Sequence, residues 1–313
     1  MRVPSNYYSQ AFTNDLNTLR SRQSALQNQA TTGLRVNAAS DDPAAMQKAL
    51  TFMADKSATH QHTANVAVLQ ERTTQIFNAL QSLQTISTQA GADAVSAVND
   101  TSRQRQAPLV AELNALIKSA LNIANTKDPL TGAGIFGGTS GSAAPFAAAT
   151  DAAGNVTAVT YTGNASVNSV EISKGATLAV DVPGANNSGG GARGLFTDSR
   201  SGADFFANLI RLRDNIAAGN SSAISSADAP ALQKDSDNLI YHIGSIGAQQ
   251  TRLDLTATTL QNRVSALDKN ISDATSADLV QTVVQLNQAQ NSYQAALQSG
   301  SKIMQLSILN YIQ

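Results

Sequence analysis

The sequence predicts a mainly α-helical protein, interrupted once by a β-rich insertion, with long antiparallel helices brought together from its two ends. Three observations predict it. Apolar or small residues recur in four-and-three steps near both termini, the rhythm of a helix that docks along another helix. Between Gly132 and about Gly202, Gly, Ser, Thr, Asn and Ala dominate and apolar residues alternate as in strands. Charged residues make up 14% of the 313 residues, against about 25% in average domains.

The first helical pattern covers 7–32, with Phe12, Leu16, Leu19, Leu26 and Ala30 in rhythm and Gln23 in the seam. A lone helix of this length is marginal in water, so it needs a partner, and the C-terminal stretch is the best candidate. Gly33 reads as its stop, because Gly takes the left-handed conformation cheaply. Ser40-Asp41-Asp42-Pro43 reads as a sharp restart. Asp42 can cap the next helix, and Pro43 suits a first position that needs no amide donor. A long helix is expected from Ala44 to about Ala94, with Leu69, Ile76, Leu80, Leu83 and Ala90 on one face. A loop follows over Gly91 to Ser102, then a helix over 104–125 carrying Leu109, Leu113, Leu116, Ala120 and Ile123.

Inside the insertion, Val156 to Tyr161, Val167 to Ile172 and Leu178 to Val182 read as three short strands. Gly163-Asn164 and Lys174-Gly175 are turn signals, and Asn186 to Gly194 is expected to be a flexible loop. Helical pattern resumes at Ala203 and pauses from Gly219 to Asp228. A second long helix runs from about Pro230 to Ile271, with Leu253, Ala257, Leu260, Val264, Leu267 and Ile271 in heptad spacing.

After a phase slip at 273–278, the last stretch places Leu279, Val283, Leu286, Gln290, Tyr293, Leu297, Gly300, Met304, Ser307 and Tyr311 in rhythm. Lys302 is its single charged residue; Gln281, Gln285, Asn287, Gln288, Asn291, Gln294 and Gln298 fill the other faces. A solvent-facing helix normally carries charge opposite its apolar stripe. A charge-poor, amide-rich helix suits burial among protein neighbours on several sides. It does not suit a bilayer, since it holds no run of about 20 apolar residues.

Composition removes several function classes. With 21 basic and 22 acidic residues, the net charge is -1, which leaves no basic excess to hold a phosphate backbone. Cysteine is absent, so disulfides, thiolate nucleophiles and Cys-ligated metals are out. The N-terminal Met1-Arg2-Val3-Pro4-Ser5-Asn6 has no apolar core of a secretory signal; export would use a route that reads no cleaved signal peptide.

Catalytic and cofactor motifs fare poorly. Gly132-Ala133-Gly134-Ile135-Phe136-Gly137 has dinucleotide spacing but follows a helix and an Asp-Pro turn, and it precedes no helix. Gly189-Gly190-Gly191 lacks the Gly-Lys-Ser/Thr ending of a P-loop. His60 and His62 sit two apart on a helix and point to different sides; these and His242 read as surface histidines. Capping explains Asp41 and Asp42 without chemistry. No cofactor is expected.

Four segments carry a resemblance. They are Thr32-Gly33-Leu34-Arg35-Val36-Asn37 with Ser40-Asp41-Asp42-Pro43, and Ala124-Asn125-Thr126 through Phe136-Gly137-Gly138-Thr139. The others are Tyr161-Thr162-Gly163-Asn164 through Val182-Pro183-Gly184, and Gln294-Ala295-Ala296-Leu297 with Leu306-Ser307-Ile308-Leu309-Asn310-Tyr311-Ile312. Together they resemble the flagellin superfamily, and within it the hook–filament junction branch, where Asp-Asp-Pro replaces the Asp-Asp-Ala common in filament flagellins. The resemblance implies a structural, non-enzymatic subunit of the extracellular bacterial flagellum, exported unfolded by the flagellar type III apparatus. Implied partners are copies of itself, a hook-side junction protein, flagellin and an export chaperone, with no nucleic acid and no membrane insertion. Residues 1–42 and 272–313 would form a coiled-coil assembly domain, largely unstructured in the free monomer. Residues 43–130 and 203–271 would form a helical rod, and 131–202 an outer β-rich domain. The assembly residues would be Phe12, Leu16, Leu19 and Leu26, with Leu279, Val283, Leu286, Tyr293, Leu297, Met304, Ile308 and Tyr311. A short flagellin that builds the filament itself is the alternative, and a nucleotide enzyme built on Gly132 to Gly137 is a different class.

Overall fold

Six of the helices are long enough to follow the sequence periodicity, and they carry most of the chain. The structure, a computed structural model, describes residues 5–99 and 103–312, with side chains for 10–99 and 106–302. It divides into two compact units. One takes the chain through Thr59 and again from Asn262; the other is His60–Gln261.

The first unit contains α1 (Ser5–Thr32), the start of α2 (Pro43–Asn99), the end of α6 (Ala229–Thr275) and α7 (Leu279–Ile312). Antiparallel pairing of α1 with α7 follows from two contacts. A Cβ on Gly300 would lie 2.0 Å from Cζ of Phe12, and Leu34 and Ser276 form an antiparallel bridge.

The second unit is built on the rest of α2 and α6, with α3 (Arg103–Ala124) and α4 (Phe205–Ala217). Ile76, Leu80 and Leu83 of α2 share its main core with Leu113 and Ile117 of α3, Leu209 and Leu212 of α4, and Leu239 and Ile246 of α6. The expected loop at Gly91 is absent: α2 stays helical to Asn99, because Ala94 and Ala97 enter that core. Core packing outweighs the roughly 1 kcal/mol that one helical Gly costs. The expected pause before α6 shrinks to Ala218, Gly219 and Asn220. Asn220 caps the single turn α5 (Ser221–Ala223), which leads through a π-helical turn, Ile224–Asp228, into α6.

The insertion is several small sheets. β1 (Phe146–Thr150) pairs antiparallel with β2 (Val156–Tyr161), and β3 (Val170–Ser173) with β4 (Ala176–Leu178). Two-residue strands β5 (Ala185–Asn186), β6 (Thr197–Asp198) and β7 (Ala203–Asp204) form a third sheet. The Lys174-Gly175 turn closes β3–β4 with Gly175 at φ 76°. Strand β1 is alanine-rich, so it gave no alternating signal. Val180 and Val182 are buried without joining a strand. Asn186 is buried, and its side-chain amide donates to the carbonyls of Gly190 and Ala192, so the glycine-rich segment is anchored at its start.

Candidate assembly surface on the terminal helices

From the Phe12–Gly300 contact, the covered positions step away in opposite directions along the two helices. On α1 they are Leu16, Leu19, Gln23, Leu26 and Ala30; on α7 they are Ala296, Tyr293, Ala289, Leu286 and Thr282. Both runs keep the four-three spacing of knobs-into-holes packing. Phe12, Leu16 and Leu19 are half-buried, and Leu26 is buried.

On α7 the seam differs from the one the sequence suggests. Leu286, Tyr293 and Gly300 belong to it, but Leu279, Val283 and Leu297 are exposed, and so is Gln290. The seam is completed by the small residues Thr282, Ala289 and Ala296, one position earlier in each case. Small residues let the helices approach closely and leave the larger side chains outside. Met304, Ile308 and Tyr311 lie outside the described side chains.

The turn between α1 and α2 is hydrogen-bonded to the turn between α6 and α7. Gly33, at φ 71°, donates its N–H to the Gln29 carbonyl at 2.9 Å and ends α1. Its carbonyl accepts from the Ala277 N–H at 2.9 Å, and the Arg35 N–H donates to the Thr275 carbonyl at 2.7 Å. The Arg35 guanidinium reaches Asp42 Oδ2 at 3.1 Å and the Ala274 carbonyl at 3.0 Å. Ala274 is in the last turn of α6, where carbonyls lack helical donors and a cation meets the negative helix end.

Asp42 caps α2, with Oδ1 accepting the Ala45 N–H at 3.0 Å. Asp41 closes the turn before it, taking the N–H groups of Asn37 and Ala38 at 3.0 and 2.9 Å. The Ala38 and Asn37 amides hold the Asp41 carboxyl below its usual range. The Ala45 amide and the Arg35 side chain do the same for Asp42. Pro43 opens α2, and Asn37 Nδ2 lies 3.4 Å from Thr32 Oγ1.

The other motif residues sit in the second unit and hold the base of the β insertion. Phe136 is fully buried, edge-on to Phe196 at 5.7 Å. Its carbonyl accepts the Gly184 N–H at 2.7 Å and lies 2.9 Å from the Tyr161 hydroxyl. The Gly137 carbonyl accepts the Asn164 N–H at 3.2 Å, and the Thr139 N–H donates to Asn164 Oδ1 at 3.0 Å. Gly138 needs its glycine: φ is 65°, and a Cβ would meet the Asn164 carbonyl oxygen at 2.1 Å. Asn125 pairs with both backbone groups of Phe146 at 2.9 Å. Three distant segments thus converge on one structural joint, and Gly132 to Gly137 is a loop packed on Pro145 at Gly134.

His242 corrects the surface reading of the histidines. It is buried on α6 beside the Gly194 carbonyl at 3.2 Å, and burial pushes its pKa down to about 4. Periodicity on α6 put no polar residue at that depth, so the sequence held no signal for it. Asp235, also buried, accepts the Asp204 N–H and the Asn208 amide at 2.9 and 2.8 Å; burial pushes it up to about 7. Among the described residues, no three His, Asp or Glu are placed to hold a metal ion, and no helix is long and apolar enough to cross a membrane.

These features define a class: a helical protein whose first and last long helices pair and leave large apolar side chains exposed. Residues 3–140 match the family model of the bacterial flagellin N-terminal helical region, so that part of the chain is similar to flagellins. The chain's fold is that of flagellar hook-associated proteins. A putative one from Vibrio parahaemolyticus superposes with a TM-score of 0.64 at 21% identity, over 75% of this chain and 100% of that one. FlgL from Bacillus cereus gives 0.54 at 20% identity, over 74% and 100% of the two chains. FlgL from Xanthomonas campestris gives 0.50 at 19% identity, over 71% and 98%. No curated protein matches the sequence significantly.

Proposed function

We propose that the chain is a structural, non-enzymatic subunit of the bacterial flagellum, a junction adaptor that joins the hook, through a hook-side junction protein, to the flagellin filament. The observation that carries this reading is the α1–α7 pair, which closes on small residues and leaves Leu279, Val283 and Leu297 exposed. Large apolar side chains in a nearly uncharged helix gain about 25 cal/mol per Å² when a neighbour covers them. Before export the same face is an aggregation hazard, which gives an export chaperone a physical task. Full coverage of a putative flagellar hook-associated chain and of an FlgL chain by the fold supports the junction placement. The terminal helices are the assembly elements, the β insertion is the variable outer part, and the subunit works in the extracellular flagellum.

A deletion strain tests the placement. Secreted flagellin monomers without a filament are the expected result. An intact hook and junction with no flagellin made would favour a short filament flagellin instead, the reading that the flagellin N-terminal match also admits.

A further inference from the structure

The β insertion carries a cleft that the terminal helices and the junction reading do not use. A hollow of about 520 Å³ lies against β2. Val159, Thr160 and Tyr161 form one wall, Asn187 stands on the other, and the buried rings of Phe146 and Phe206 form the base. A second hollow, of about 350 Å³, shares Val159 and Asp204 with the first and continues along Thr157 and Ala158 beside α4. Successive residues of β2 line the two hollows, although their side chains alternate between faces. The cleft therefore follows the outer edge of the strand.

That edge is unpaired. The Thr162 N–H donates to the Pro145 carbonyl at 2.8 Å, which makes those opposed residues a hydrogen-bonded pair. Alternation along the ladder then turns the backbone groups of Phe146, Val159 and Tyr161 away from the hairpin. On the β1 side, Asn125 takes both groups of Phe146. On the β2 side, no hydrogen bond among the described residues takes those of Val159 or Tyr161. Asn164 adds an open donor. Its Oδ1 accepts the N–H groups of Thr139 and Ser166 at 3.0 and 3.1 Å, and its Nδ2 has no partner among the described residues. Asn186 fixes the opposite wall, its Oδ1 accepting the Ser188 N–H and hydroxyl at 2.9 and 2.7 Å.

We propose that this cleft binds a neutral saccharide. Backbone N–H and C=O groups, the Asn164 amide, the Thr160 hydroxyl and the Asp204 carboxylate match sugar hydroxyls, which both donate and accept. The aromatic base suits the C–H face of a sugar ring. An anionic ligand finds no free cation among the lining residues: Arg211 is paired with Asp228 at 2.6 Å, and Asp204 and Asp214 would repel it. A peptide adding as a strand needs a longer edge. Here the Val156 carbonyl is already taken by Arg213 at 2.6 Å, and the strand ends at Tyr161.

The purified full chain is applied to a printed array of neutral oligosaccharides that also carries sialylated and phosphorylated members. The tightest neutral hit is then titrated by calorimetry. Thr160→Trp and Asn187→Trp each fill the cleft from an exposed position, and Thr177→Trp, exposed on β4, is the control. The expected result is a neutral oligosaccharide whose Kd rises about tenfold or more in the filled variants and is unchanged in the control, with urea midpoints preserved. One folded filled variant suffices for the comparison. No neutral hit, binding confined to acidic members, or equal affinity in filled variant and control overturns the proposal. A peptide selected from a display library that binds the unaltered chain and not the filled variants, with no saccharide bound, would place strand addition there and also overturn it. The junction reading stands or falls separately, by the deletion strain.

Discussion

Gly138 and Gly244 place the same residue type under opposite constraints. Gly138 is at positive φ with a carbonyl oxygen 2.1 Å from where a Cβ would go. Gly138→Ala should cost about 2–4 kcal/mol, from left-handed strain plus forced movement of Asn164. Gly244 is helical with nothing within 4 Å of a Cβ. Gly244→Ala should raise stability by about 0.5–1 kcal/mol. Urea midpoints of the two variants check both signs. Asp41 and Asp42 were readable in advance as a helix restart, because capping is local and Asp-Asp-Pro states it. Arg35 was visible as a motif residue, but its grip on the Ala274 carbonyl joins positions far apart in sequence. Both carboxyls are held below their ordinary value of 3.8. Their contribution is therefore present above that pH and is lost as pH falls through the lower folded-state values. Asp42→Asn keeps a capping oxygen and drops the charge. It should flatten the acid loss of helicity in the terminal unit, read by circular dichroism against pH; an unchanged acid profile would remove Asp42 from the account.

Helices were legible as elements because their apolar spacing is long-range and regular. Leu253, Leu260 and Leu267 alternate with half-buried Ala257, Val264 and Ile271 as the heptad implies. What the spacing could not settle was which stripe of α7 faces α1. Leu286, Tyr293 and Gly300 lie in it as the rhythm implied, but Thr282, Ala289 and Ala296 take the places expected of Val283, Gln290 and Leu297, because close approach of two backbones there selects for size before hydrophobicity. β1 and the depth of His242 were hidden for a related reason: alanine and histidine carry weak pattern signals, and neighbours remote in sequence decide their burial. Two residues of α6 now make opposed predictions. His242 falls from 6.5 to about 4 on folding. The unfolded chain then takes up a proton that the folded one refuses, so stability drops as pH falls from 6.5 to about 4, by about 3 kcal/mol at full extent. Asp235 rises from 3.8 to about 7, so its folded form holds the extra proton and stability rises over the same interval. His242→Gln should make the protein relatively more stable at pH 5 than at pH 7, compared with the unaltered chain. Asp235→Asn should do the reverse. Denaturant midpoints at the two pH values decide, and parallel shifts in both variants would contradict the assignment.

At the scale of the whole molecule, the unit boundaries fall where composition gives no warning. Turns at Asp42 and after Ile271 suggested domain limits, but the compact units change over after Thr59 and before Asn262, inside α2 and α6. A helix that runs from one unit into the next has no Gly or Pro at the border, so sequence punctuation misses it. The two units also differ in what holds them. Among the described residues, both buried hydrophobic clusters belong to His60–Gln261, whereas the terminal unit is held by the α1–α7 seam and the Arg35 turn. Local opening follows the sparser core, so the terminal unit should open first in the free chain, and under the proposed assembly role neighbouring copies would stabilise it. Limited proteolysis of the purified full chain, read by mass spectrometry, should leave a resistant fragment near residues 60–261. Cuts should enter α2 and α6 beyond Asp42 and before Thr275, since only the cores behind Thr59 and Asn262 protect those helices. The same digestion on isolated flagella should spare the termini. A monomer that resists over its full length would mean that the terminal unit is stable alone, and would remove the physical reason for coupling its folding to assembly.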